Sequence, residues 1–126
     1  MQVENGAGDV TFPEWRGNVL EALRALSDDT LHELWRRRQG WPDLDSAVHW
    51  LIDDTFMDVG SAREMVPELF RSEREADTVQ AAVDALIAVV DALGDVSAEV
   101  YLRHPGWPKV FVTATAAARA LEEPAL

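Results

Sequence analysis

A chain of 126 residues with 48% hydrophobic content fits one domain with a single buried core and sits apart from disordered sequences. It contains no cysteine, which excludes disulfides, thiolate metal sites and a cysteine nucleophile, and suits a reducing cytoplasm. Its net charge of −12, from 23 acids against 11 bases, argues against nucleic acid and anionic membranes, which call for a basic footprint.

The residues from Met1 to Asp9 are polar and acidic, unlike a signal peptide, and read as a frayed leader. The expected organisation is a flexible acidic leader over 1–10, one helical domain over 11–122 and a tail over 123–126. No apolar run approaches the roughly 20 residues that cross a bilayer.

Thr11-Phe12-Pro13-Glu14 predicts a capping box with proline in the first turn. Behind it, Trp15, Val19, Leu20, Leu23 and Leu26 recur at helical spacing. Ser27 or Asp28 caps a second, shorter helix that buries Leu31, Leu34 and Trp35. It ends in Arg36, Arg37 and Arg38, where positive charge suits the helix dipole, and Gly40 closes it. Asp43 or Asp45 opens a third helix with Leu44, Ala47, Val48, Leu51 and Ile52 inward.

Ser61-Ala62-Arg63-Glu64 predicts a further helix through Met65, Leu69 and Phe70, which Pro67 kinks or splits near Val66. Ser72 and Glu75 then start the clearest element, and Gly94 ends it. Its seam is Val79, Val83, Leu86, Val90 and Leu93, widened by Ala82, Ile87 and Val89, while Asp77, Asp84 and Asp91 mark the wet face. A short turn around residues 98–102 leads to His104-Pro105, and a last helix runs from near Pro108 to about Leu121. Val110-Phe111-Val112 is the first turn of that helix rather than a strand. The fold class is all-α, a compact single-domain bundle of about five to seven helices. Gly-Trp-Pro occurs twice, at Gly40-Trp41-Pro42 and Gly106-Trp107-Pro108, each time just ahead of a helix.

The stretch with the least ordinary helix chemistry is His49-Trp50-Leu51-Ile52-Asp53-Asp54-Thr55, followed by Asp58. Paired aspartates after an apolar helix face run against the helix dipole. One reading is a divalent-metal site, or a metal-assisted hydrolase, built from His49, Asp53, Asp54 and Asp58, with His32 and Glu33 approaching from the neighbouring helix. The spacings that usually carry such chemistry are missing: no Glu-x-x-His, no His-Glu-x-x-His and no EF-hand loop. The other reading is architectural. Asp58 caps the helix near Ser61, Asp54 or Thr55 holds the turn, and Asp53 pairs with His49 or with Arg16, Arg24 or Arg103.

Other chemistry finds little support. Ser46, Ser61 and Ser72 sit at helix starts, no Gly-x-Ser-x-Gly occurs, and no glycine-rich phosphate loop follows a strand. The Arg36–Arg38 run reads as a helix end neutralised by Asp28, Asp29 and Glu33, with an anion site as the sharper alternative.

The motif and its surroundings resemble a family of small, uncharacterised actinobacterial all-helical proteins. The likeness rests on Trp15 with Val19-Leu20, on Ala47-Val48-His49-Trp50-Leu51-Ile52-Asp53-Asp54-Thr55, on Glu73 and Glu75, and on Tyr101, Pro105 and Trp107-Pro108-Lys109-Val110. It spans most of residues 12–121. It implies a compact helical domain and brings no activity, cofactor or ligand with it. Pro67 departs from the glycine expected there.

The functional expectation is a non-enzymatic, cytoplasmic protein-interaction module of the inhibitor or immunity type, facing a basic partner and using no cofactor. Its contact residues would be Trp41, Trp50 and Trp107, ringed by Asp53, Asp54 and Asp58. The metal reading is the alternative. A small-molecule pocket between helices and homo-dimerisation through a spare apolar face are further options.

Overall fold

Proline at the first helical position starts α1 (Pro13–Leu26) in the computed structural model, which describes residues 10–53 and 60–123. The Thr11 cap is not used. Phe12 is the N-cap, without a side-chain bond, and its amide donates to the Glu68 carbonyl at 2.9 Å. Val19, Leu23 and Leu26 are buried as their spacing predicts, but Trp15 is not: it is 37% exposed and stacks on Phe12. Ser27 closes α1 by donating back to the Leu23 carbonyl, and Asp28 caps α2 (Asp29–Arg36) through the Leu31 amide.

Asp43, not Asp45, caps α3 (Leu44–Val48) by accepting from the Ser46 amide at 2.8 Å. The helix then widens into a π-turn, His49–Asp53, where the sequence spacing predicts continued α-helix. Leu51 and Ile52 still reach the core. Asp54, Thr55, Asp58 and the Asp53 side chain lie outside the described residues, as do the leader up to Asp9 and the last three residues of the tail.

Ala62–Met65 is a 3-10 turn rather than an α-helix, and Ser61 makes no side-chain cap bond. It stops just before Val66-Pro67, because proline offers no amide and its ring crowds the preceding turn. Leu69 and Phe70 beyond it are fully buried.

The central element is α4 (Glu73–Leu93), which packs most extensively on α6 (Trp107–Glu122); α6 also packs on α1. Val79, Ala82, Val83 and Leu86 are fully buried, while Asp77, Asp84 and Asp91 face out. Gly94 ends α4 at φ 68, the left-handed region that glycine enters without penalty. The turn expected at residues 98–102 is a short helix, α5 (Ala98–Arg103), which buries Tyr101 and Leu102 and packs against α2. Among the described residues there are six α-helices and no strand, so the fold is all-α.

One buried ion-pair hub ties these helices together. Ser72 caps α4 by accepting the Glu75 amide, but the Glu75 carboxylate turns toward two arginines. Arg16 of α1 binds both carboxylate oxygens, the Nη2–Oε2 bond at 2.9 Å, while Arg71 donates from its amide at 2.8 Å and its Nε at 2.9 Å. The same guanidiniums cap the end of α6: Arg16 donates to the Leu121 carbonyl and Arg71 to those of Ala120 and Glu123. Burial alone would raise the Glu75 carboxyl; hydrogen bonds from Arg16 and Arg71 outweigh it and hold the group below its usual range. A buried carboxylate–arginine pair of the kind expected at Asp53 is present at Glu75, while the Asp53 side chain itself lies outside the described residues. Arg24, another of the three candidate partners, binds Glu122 and Glu21.

Candidate functional site

The loop from Arg37 to Pro42 carries the most exposed large apolar side chain among the described residues, Trp41, 72% accessible. Its neighbours fix the backbone beneath it. The Arg38 and Gln39 amides donate to the Trp35 and Leu34 carbonyls and close the end of α2. Gly40, at φ +93, lies so close to α2 that a Cβ would stand 2.9 Å from Leu31 Cδ1. On the far side, buried Trp35 donates its Nε1 hydrogen to the Pro42 carbonyl at 2.9 Å. Asp43 then starts α3. Trp41 thus projects from a loop held at both ends.

Trp50, from the histidine-to-threonine motif, meets Trp41 edge to face, with ring centroids 6.1 Å apart. The structure therefore brings together two of the three tryptophans read as contacts. Trp107, the third, faces inward. It is 5% exposed and packs against His32 at 5.5 Å, so in this fold it belongs to the core. The two Gly-Trp-Pro corners differ because Gly106 and Trp107 open α6 directly, whereas Trp41 stands outside any helix.

Beside α3 lies a cavity of about 650 Å³ with Leu44, Val48, Val90 and Tyr101 in its lining, and with Asp43, Asp45 and Asp95 among them. Burial, and then the charges of Asp95 and Asp45, push the Tyr101 phenol up, as expected if both carboxylates stand near it. The Tyr101 hydroxyl donates to the Gly94 carbonyl at 2.6 Å and fixes the cavity floor. Sequence reasoning missed Asp43, Asp45 and Asp95 as a group, because they are joined only by α3 and the α4–α5 turn coming together.

The metal set falls only partly within the described residues. His49 is exposed at the start of the π-turn. Among the described residues no group of three histidine or carboxylate side chains is placed to share a metal ion. His32 does not approach His49 as a ligand: it is 4% exposed, its Nε2 lies 3.0 Å from the Ala25 carbonyl, and Trp35, Trp107 and Phe111 surround its ring. Burial pushes its pKa down, so it sits in this cluster as a neutral ring. His104 likewise serves its loop, accepting the Gly106 amide at Nδ1.

Comparison with known proteins places the chain in one family. The model of a domain of unknown function, DUF7945, matches residues 10–125, and the chain belongs to that family. No curated protein and no solved structure matches it.

Proposed function

Because that family carries no assigned activity, we propose from the surface itself that this chain is a non-enzymatic interaction domain, of the inhibitor or immunity type, that masks a basic partner. The observation that carries the reading is Trp41, 72% exposed on a loop held at both ends. A large aromatic side chain that is already ordered loses little conformational freedom on binding, which is how an anchor residue gains affinity. Trp50 supports its ring. Asp43, Asp45 and Asp95 supply negative charge around an apolar floor nearby, suited to an arginine or lysine side chain of the partner. A net charge of −12 adds long-range steering of a cationic protein.

The reading is tested by immobilising the protein and passing lysate at low and at moderate salt. A basic protein retained at low salt and weakened at moderate salt supports it. Retention of only acidic or neutral proteins, indifferent to salt, contradicts it.

The alternative, a divalent-metal site at His49, Asp53, Asp54 and Asp58, is favoured by one feature: π-turns in helices occur often at functional sites, and His49–Asp53 is one. Under that reading Mg²⁺, Mn²⁺ or Zn²⁺ raises the melting temperature in a saturable way, since a ligand bound only by the native state stabilises it. An unchanged melt with all three ions removes it.

A further inference from the structure

The Arg36–Arg38 run is the dense basic patch of a strongly acidic chain, and its last member stands in a backbone conformation that arginine disfavours. The Arg38 amide bonds to the Trp35 carbonyl and the Gln39 amide to the Leu34 carbonyl, the paired bonds of a Schellman ending. That ending puts Arg38 at φ 60, the left-handed position that glycine usually fills. The loop does use glycine two residues later, where a Cβ at Gly40 would collide with Leu31. An arginine where local physics prefers glycine points to a use for its side chain.

Arg36, Arg38 and Gln39 line a cavity of about 340 Å³ whose other side is formed by Ser97 and Glu99 at the start of α5. The volume lies within the range of small-molecule sites. Among the described residues no carboxylate pairs with Arg38, whereas Arg36 meets Glu33 at 3.1 Å on the exposed side. The Ser97 hydroxyl accepts no cap bond from its own helix, and its O–H can donate to an anion. Leu44 and Ala98 give the cavity an apolar patch. Two carboxylates also line it, Asp43, which already accepts the Ser46 amide, and Glu99. At physiological ionic strength charges further than about 8 Å are largely screened, so these local groups decide what binds rather than the net charge.

We propose that this cavity binds a small organic oxyanion, a phosphate- or carboxylate-bearing molecule whose charge meets Arg38 and whose apolar body lies on Leu44 and Ala98. The two cavities share Asp43 and Leu44, but oxyanion binding turns on Arg38 and partner masking on Trp41, so each can fail without the other.

Thermal melts test it with phenyl phosphate and sodium benzoate as probes and phenyltrimethylammonium as the cationic control. The wild type is expected to show a saturable rise with at least one oxyanion, on the order of 10 °C at a hundredfold excess over Kd, and none with the cation. A rise with phenyl phosphate alone assigns a phosphate ligand, and one with benzoate alone a carboxylate. Arg38→Gly is expected to melt about 3 °C higher than wild type without ligand, because the left-handed residue is relaxed, and to lose the oxyanion-induced rise. No saturable rise in the wild type, or an equal rise in Arg38→Gly, overturns the proposal.

Discussion

Glu75→Gln is expected to lower the stability of this domain by about 3 kcal/mol, from the general cost of removing one member of a buried ion pair. The change keeps the side-chain shape and removes the charge. Arg16 and Arg71, with side chains only 15% and 19% exposed, are then left without their shared counter-ion. The Arg71 amide also loses the negative charge of its acceptor. The melting temperature should fall by roughly 10 °C for a domain of this size. Glu73→Gln, two residues away, is the control: its side chain is 69% exposed, and its loss should change stability by less than about 0.5 kcal/mol.

The same hub makes an acid-sensitivity prediction. The Glu75 carboxyl is held below the ordinary glutamate value of 4.5 in the folded state. Its contribution is therefore fully present above about pH 4.5 and is lost as pH falls through the folded-state pKa. Wild type should lose stability more steeply than Glu75→Gln in that acid range. Parallel curves from urea melts at descending pH would show that the carboxylate is not charged and paired as described.

Trp107→Ala is expected to lower stability by about 3–5 kcal/mol, the usual consequence of emptying a buried aromatic site. Trp41→Ala should change it by less than about 0.5 kcal/mol, as for exposed side chains. The difference follows from exposure, 5% against 72%, at two positions with the same Gly-Trp-Pro context. The buried Trp107 Nε1 finds no acceptor among the described residues. Trp107→Phe should therefore be milder than Trp107→Ala, since it removes a donor that makes no bond while keeping most of the packing. Calorimetric melts of the three variants check the ranking, and a Trp41→Ala loss comparable to Trp107→Ala would contradict it.

Local signals were legible wherever a few neighbouring residues decide the outcome. Ser72 and Gly94 bracket α4 as their types suggest, and the predicted seam is buried at Val79, Val83 and Leu86 and half-buried at Val90 and Leu93. Pro67 stops a helix where a missing amide requires it. Errors came where distant chain segments decide. Glu75 sits in a capping-box spacing, yet its carboxylate is claimed by Arg16, 59 residues away, an energy no local pattern encodes. Trp15 has helical spacing with the core residues but stacks on Phe12 at the surface. The candidate site was legible in half: Trp41 and Trp50 could be singled out by type, but their meeting, and the grouping of Asp43, Asp45 and Asp95, depend on how α3 docks.

The most direct measurement is a binding titration of a captured basic partner against wild type and Trp41→Ala, with melting curves recorded in parallel. The Kd of the variant is expected to be at least 30-fold weaker, equivalent to about 2 kcal/mol for a central aromatic anchor, with the melt unchanged. Equal Kd values for the two proteins would contradict it.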